Sequence, residues 1–381
     1  MRVVWVTHNY PRFRGDIAGA FLHPLAVALR GRGVDIRVVA PSDGGAGGME
    51  ELDGVPVRRV RYARAARERL AYGGMNGTSM ASIGGVVTFD ALRRALRRGA
   101  RDDLRGAGPG LVHAHWWLPG GLAAPPEIPM VLTCHGSDVQ LLERSGLARW
   151  IGRSVFRRAK VVTTVSRALA AIVKRRTGID VGDDAIQPMP VVNVERPWSI
   201  GGGGVVVIGR LTRQKRVDLA IDAFAQAREL GVACTLSIVG DGPERANLEL
   251  LATERGVESD IRFLGEIAPG DVPTILANAD CCIMPAVGEG FGLAAAEALM
   301  QGVPVIACRD GGGLTDIVVP GIGGLIVDPA PSAIAEALLD LLANAAAADG
   351  ARQAGTAWRA RLSADAVADR CLTWYEEALD A

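Results

Sequence analysis

The sequence predicts two α/β domains in tandem, each a doubly wound parallel sheet, and three observations predict it. Its 381 residues exceed one ordinary domain and suit two. Hydrophobic residues make up 49% and charged residues 22%, enough to fill two cores and too apolar for wholesale disorder. Short apolar runs bounded by Gly or Pro alternate with amphipathic helical stretches, the pattern of parallel strands joined by crossover helices.

In chain order, the first half places strands at Val3–Thr7, Asp35–Ala40, Leu111–Ala114, Met130–Cys134 and Val161–Val165. The second half places them at Val205–Gly209, Thr235–Val239, Ile261–Leu264, Cys281–Met284, Val303–Ala307 and Gly324–Val327. Glu195-Arg196-Pro197-Trp198-Ser199-Ile200 runs into Gly201–Gly204, a stretch suited to a hinge, so the domains read as 1–195 and 196–381. An Ala-rich helix from Ser332 to Ala348 and the closing segment Ala364–Leu379 finish the second domain, with the last helix free to pack back on the first. Ligands of open α/β sheets bind beyond the carboxyl ends of the strands, so two such domains facing one cleft would hold the site there. Tyr62–Val87, containing Tyr72-Gly73-Gly74-Met75-Asn76-Gly77, reads as a long loop, a length that in compact domains usually serves function. It leads into Phe89-Asp90-Ala91-Leu92-Arg93-Arg94-Ala95-Leu96-Arg97-Arg98, a helix with leucines on one face and arginines around it, suited to lie on an anionic surface.

Charge divides the chain as well. Residues 1–195 hold 28 Lys/Arg against 17 Asp/Glu, and residues 196–381 hold 14 against 25. The basic half points to a polyanionic or membrane-surface partner; solvated Arg-rich helix faces give the same pattern. Nucleic acid is not among the expected partners. The six cysteines include no C-x-x-C pair, which fits buried thiols in a reducing compartment. Met1-Arg2 runs straight into Val3-Val4-Trp5-Val6 without a secretion signature, and no stretch approaches the roughly 18 apolar residues of a membrane span. The expected location is the cytoplasm, with the inner face of the membrane as its alternative.

The chemistry concentrates in Pro285-Ala286-Val287-Gly288-Glu289-Gly290-Phe291-Gly292-Leu293-Ala294-Ala295-Ala296-Glu297-Ala298-Leu299. A strand ends, a glycine-flanked turn follows and a helix begins. The glycines let backbone approach a ligand, and free amides at the helix start attract a diphosphate. Glu297, two turns along, can accept hydrogen bonds from ribose hydroxyls. After the first strand of the second half comes Gly209-Arg210-Leu211-Thr212-Arg213-Gln214-Lys215-Arg216, whose cations face the same sheet edge and can stabilise a departing diphosphate in place of a metal ion.

These residues carry a resemblance. Gly209-Arg210-Leu211 with Lys215, Val239-Gly240-Asp241-Gly242-Pro243, Glu289 and Glu297 separated by seven residues, and Gly302-Val303-Pro304-Val305-Ile306-Ala307 followed by Gly311-Gly312 resemble the retaining family-4 glycosyltransferases of GT-B fold. That fold is α/β, two Rossmann-like doubly wound domains facing a central cleft. The resemblance implies that Arg210 and Lys215 bind donor phosphates and Glu289 the donor sugar. It further implies that Glu297 holds the ribose, that the amides of Gly290, Phe291, Gly292 and Leu293 complete the cradle, and that Phe263 and Leu264 flank the nucleobase. In the first half, Thr133-Cys134-His135-Gly136-Ser137-Asp138 resembles the family's His-Gly-x-Asp turn, which places His135 at the transferred sugar. Asp138 either orients His135 or is a turn residue. Val112-His113-Ala114-His115-Trp116 resembles the His-x-His-Trp strand end, with His115 on the acceptor side. Gly19, in Gly19-Ala20-Phe21, stands where many relatives have Gly-Gly at the donor phosphate, and Asp316 stands where a Glu is common.

No metal site is expected, since His113 and His115 have no third ligand nearby, and no cofactor beyond a nucleotide-sugar co-substrate, UDP- or GDP-linked. The implied activity is retaining transfer of a hexose-type sugar to a hydroxyl acceptor, lipid-linked or soluble, in cell-envelope glycan, glycolipid or natural-product assembly. The alternatives are a nucleotide-sugar epimerase-hydrolase of the same fold and a non-catalytic partner subunit. The pairing of Lys215 with Glu297 in this motif order speaks against the first, and retention of both phosphate cations and both glutamates against the second. A dehydrogenase is disfavoured because Thr7-His8-Asn9-Tyr10-Pro11 holds no G-x-G-x-x-G.

Overall fold

The computed structural model describes residues 1–68, 70–72, 82–106, 108–191, 204–343 and 345–381. They form two compact units, Met1–Pro190 with Ala364–Ala381, and Val191–Ser363. The expected hinge at 195–204 lies almost wholly outside the described residues, as does the centre of the 62–87 loop.

The first unit holds strands β1 (Arg2–Val6), β2 (Asp35–Pro41), β3 (Gly48–Leu52), β4 (Val55–Val60), β5 (Gly110–His115), β6 (Met130–Cys134) and β7 (Val161–Thr164). Their spatial order is β3-β4-β2-β1-β5-β6-β7, parallel except for the antiparallel β3–β4 pair. Val3 to Val6 and Val131 to Leu132 have no exposed surface, which is why these segments read as unbroken apolar runs. The β3–β4 hairpin is absent from the sequence reading because Gly48–Leu52 is exposed and carries no apolar alternation. Its signal is the turn: Asp53 and Gly54 both take positive φ, 47° and 80°, as a two-residue hairpin loop requires. The helices are α1 (Leu22–Gly31), α2 (Ile83–Leu104), α3 (Ser137–Arg144), α4 (Gly146–Arg158) and α5 (Arg167–Thr177). In α2, Leu92 and Leu96 are fully buried against the sheet, so the leucine face expected to meet an anionic surface is consumed by the core.

The second unit holds β8 (Val205–Ile208), β9 (Leu236–Val239), β10 (Ile261–Gly265), β11 (Cys281–Met284), β12 (Val305–Cys308), β13 (Val319–Pro320) and β14 (Gly323–Val327). All are parallel, in the order β10-β9-β8-β11-β12-β14-β13. Its helices are α6 (Val217–Glu229), α7 (Arg245–Glu254), α8 (Val272–Ala277), α9 (Leu293–Gln301), α10 (Leu314–Ile317), α11 (Pro331–Ala343) and α12 (Ala345–Leu362). The strand expected from Val303 starts at Val305. In both sheets the strand order reverses beside the first strand, between β1 and β5 and between β8 and β11, and the loops leaving those strands diverge and open a crevice.

The closing helix α13 (Ala364–Asp380) belongs to the first unit, where Val367, Ala368, Cys371, Trp374, Tyr375 and Ala378 join the core around Trp5 and Leu22. Trp5 Nε1 donates to Tyr375 Oη (3.1 Å), which lies 2.8 Å from His113 Nδ1. His113 Nε2 in turn lies 2.7 Å from Thr133 Oγ1. Among the described residues no helix is long and apolar enough to cross a membrane.

Because Tyr375 serves two buried partners, Tyr375→Phe strands both; urea unfolding should report a loss of about 1–3 kcal/mol. An unchanged midpoint would show that the network contributes nothing.

Candidate active site

The crevice of the second unit is framed by three loops fastened to one another. After β8, Gly209 leads into Arg210-Leu211-Thr212, and Leu211 N–H donates to Asp241 O (2.9 Å). That contact needs the glycines of 239–243: a Cβ on Gly240 would sit 2.1 Å from Gly209 O and one on Gly242 2.3 Å from Leu211 O. A single turn, Arg213–Lys215, then presents Lys215, whose Nζ lies 2.6 Å from Glu289 Oε2; the two side chains are only 22% and 19% exposed. Val287 N–H donates to Gln214 O (2.9 Å), and Arg216 Nε donates to Pro285 O (2.8 Å). The Arg216 guanidinium also grips both carboxylate oxygens of Asp310 at 2.9 and 2.6 Å.

The loop after β12 completes the frame. Gly288 N–H donates to Asp310 O, Glu289 N–H to Gly311 O, and Gly313 N–H to Glu289 O (2.7 Å). A Cβ on Gly313 would meet Gly290 O at 2.3 Å, so this position too is glycine for backbone contact. Sequence reasoning passed over Gln214, Arg216 and Asp310. Their role depends on partners 69 to 94 positions away, which no local pattern displays.

The frame delivers three chemical elements to one sheet edge. The first is cationic: Lys215 beside Glu289, and Arg210, which is exposed and has no ion-pair or hydrogen-bond partner for its side chain among the described residues. The second is the start of α9, where Gly292 occupies the cap position at φ 100° and no side chain caps the first turn, leaving amide hydrogens for an anion. Phe291 is 2% exposed and offers only its backbone there, while Leu293 and Gly290 continue the same path. The third is Glu297, half-buried on α9 and without a hydrogen-bond partner among the described residues. Burial pushes its carboxyl up to about 7. At the end of β10, Phe263 packs on the core with the Arg245 guanidinium 5.9 Å from its ring, whereas Leu264 is exposed. Of these two, Leu264 is the more exposed and Phe263 is partly buried.

The crevice of the first unit is lined by uncharged rings. His135, at the end of β6, puts Nε2 3.1 Å from His115 Nδ1, with Trp116 and Phe21 at ring distances of 4.4 and 5.2 Å. Among the described residues, buried His135 Nδ1 and His115 Nε2 have no hydrogen-bond partner. Burial pulls His135 down to about 3 and holds His115 well below the usual imidazole range, so both rings are neutral. His115 is 1% exposed, lines a cavity of about 30 Å³ and has its Nδ1 against His135. The Asp138 carboxylate accepts from the backbone N–H of Trp117 (3.0 Å), Gly136 (3.0 Å) and His135 (3.2 Å) and not from the His135 ring. Of the two open readings, turn residue is the one observed. Gly19, at φ 65°, packs so closely that a Cβ would sit 2.3 Å from Asn9 O, a backbone need independent of any ligand. The sequence reading gave no role to His8, whose ring lies 4.6 Å from Trp116 and whose buried Nδ1 has no partner among the described residues. Its position just beyond β1 was the available signal.

Comparison with known proteins follows the same division. Residues 203–358 match the family model "Glycosyl transferases group 1" and residues 18–186 match "Glycosyl transferase 4-like domain". The chain is 27% identical over 353 residues to a 2-deoxystreptamine glucosyltransferase of Streptomyces kanamyceticus, covering 85% of this chain and 89% of that one. It is 32% identical over 249 residues to a GDP-mannose-dependent alpha-(1-6)-phosphatidylinositol monomannoside mannosyltransferase of Mycolicibacterium smegmatis, covering 60% and 65%. The fold superposes on sucrose-phosphate synthase from Thermosynechococcus elongatus with a TM-score of 0.74 at 21% identity, covering 99% and 98%.

Glu297 generates a test of the site's electrostatics. Its folded value of about 7 exceeds the ordinary 4.5, so between those values the folded chain keeps a proton that the unfolded chain has shed. Stability is therefore lost as pH rises through that window. Thermal melts of Glu297→Gln, which cannot ionise, should lie above wild type at about pH 8 and converge with it near about pH 5. A gap independent of pH would refute the shifted carboxyl.

Proposed function

Because this chain belongs to the family-4 glycosyltransferases of GT-B fold, we propose that it moves a hexose-type sugar, with retention, from a nucleotide-diphosphate sugar to a hydroxyl acceptor without a metal ion. The observation that carries the reading is the Lys215–Glu289 pair, set beside the uncapped start of α9 and the unpartnered Arg210. Arg210, Lys215 and the α9 amides would take up the charge that grows on the departing diphosphate, preorganised as such stabilisation requires. Glu289, its charge balanced by Lys215, would accept hydrogen bonds from donor sugar hydroxyls, and ionised Glu297 those of the ribose. His135, neutral by burial, would serve the sugar as a hydrogen-bonding ring and not as a cation.

In this reading the bond from the anomeric carbon to the donor phosphate breaks on the face at which the acceptor oxygen attaches. A phosphate oxygen receives the acceptor's proton, and no carboxylate acts as a covalent nucleophile. The acceptor we propose is anionic or lipid-borne, met by the basic first domain at the cytoplasmic face of a membrane, in cell-envelope glycan or glycolipid assembly. The two relatives are named for unlike acceptors, 2-deoxystreptamine and a phosphatidylinositol monomannoside, so a natural-product acceptor stands as the competing substrate class.

Thermal shift in EDTA with UDP, GDP, dTDP and ADP, free and as sugar conjugates, tests the donor site. One nucleotide should stabilise the protein, by about 2.7 kcal/mol at a hundred times its Kd. The shift should disappear in Arg210→Ala and Glu297→Ala and shrink below about pH 7, where Glu297 takes a proton. No shift with any nucleotide would refute the donor site. Donor consumption without a transferred sugar would favour the epimerase-hydrolase reading, and a product of inverted anomeric configuration would refute retention.

A further inference from the structure

Helix α4 carries a surface that the transfer reaction does not use. Its inward face, Ala148, Gly152, Val155 and Phe156, is buried, and its rotation is fixed by Gly152, where a Cβ would stand 2.7 Å from Leu142 Cδ2. The opposite face is therefore committed to solvent. It presents Leu147 and Trp150, 67% and 74% exposed, together with the exposed Arg153, Ser154 and Arg157. At about 100° per residue these five fall within one arc of roughly 120°, along about 15 Å of axis. Leu147 and Trp150, three residues apart, make one exposed apolar pair on that face.

The charge around this pair names an occupant. The helix holds Arg149, Arg153, Arg157 and Arg158 and no acidic residue, and none of the four is ion-paired among the described residues. Arg153 and Arg158 donate to backbone carbonyls, which leaves their charge uncompensated. Exposed Arg144 also flanks the helix, while Lys160 Nζ donates to Ala381 O (2.9 Å). On α2, by contrast, Arg93 and Arg94 pair with Asp90, Arg101 with Glu127 and Arg105 with Asp102, and the leucines are buried. An apolar pair ringed by free arginines is far smaller than the ~800 Å² per partner of a stable protein interface, but it matches the headgroup boundary of an anionic bilayer, where Trp and Arg settle together.

We propose that the outward face of α4 docks on anionic lipid, with Trp150 and Leu147 at the headgroup–acyl boundary and Arg153 and Arg157 on the headgroups. This deepens the membrane clause of the proposed function and rests on it alone; donor binding is read separately.

The full chain, without nucleotide, is floated with phosphatidylcholine vesicles with and without phosphatidylglycerol, at low and high salt. Binding should require phosphatidylglycerol and weaken with salt. Trp150→Ala should lower partitioning roughly tenfold or more, the transfer worth of a large apolar side chain. Arg153→Gln and Arg157→Gln should each lower it roughly fivefold. All three variants should keep the nucleotide-induced thermal shift, which shows that they are folded. Absence of binding, full binding by Trp150→Ala, binding lost only on substitution of Arg98 on α2, or a concentration-dependent dimer dissolved by Trp150→Ala would each overturn the proposal.

Discussion

The second unit's site depends on one constraint: the ends of β8, β11 and β12 must be fastened together where the strand order reverses. The Lys215–Glu289 contact at 2.6 Å is the visible knot. A partly buried ion pair gains from attraction about what it loses in desolvation, so its contribution is to geometry more than to stability. The backbone bonds from Val287, Gly288, Glu289 and Gly313, and the Arg216 clamp on Pro285 O and Asp310, hold the two side chains in register. Glycines at 240, 242 and 313 are required because carbonyl oxygens occupy the places where their Cβ atoms would be. The cradle is fastened by bonds within the protein and needs no ligand to form them, the condition under which electrostatic stabilisation is effective.

The first unit repeats the reversal of strand order beside its first strand and fills its crevice differently. Where the second unit sets cations and carboxylates, the first sets the neutral rings of His8, His115 and His135 with Trp116 and Phe21. The hydrogen-bonded chain from Trp5 through Tyr375 to His113 and Thr133 supports these rings from behind, and Tyr375 comes from the far end of the sequence. One crevice is lined by charged side chains and the other by neutral rings.

Most of the parallel strands were legible because burial on both faces makes them continuous apolar runs. The β3–β4 hairpin was not, since Gly48–Leu52 is exposed and Val55–Val60 is broken by Pro56 and two arginines; only Asp53-Gly54 betrays it. The donor-side string around Glu289 was legible as a string, because strand, glycine turn and helix follow one another in sequence. What holds it was not, because Gln214, Arg216 and Asp310 act across long separations. His115 and Asp138 were legible as strand-end and turn residues; their burial, which sends one to His135 and the other to backbone amides, is a tertiary fact. Trp150 could not be told from a core residue by spacing, since only the Gly152 contact decides which face of α4 turns outward.

The central claim, that Lys215 and Glu289 act as one unit, is tested most directly by a double-mutant cycle on kcat/KM for sugar transfer. Lys215→Ala and Glu289→Ala should each be severe, and the double variant should be little worse than the worse single one, a strongly non-additive outcome. If the two losses multiply instead, the residues work independently and the account of the site is wrong.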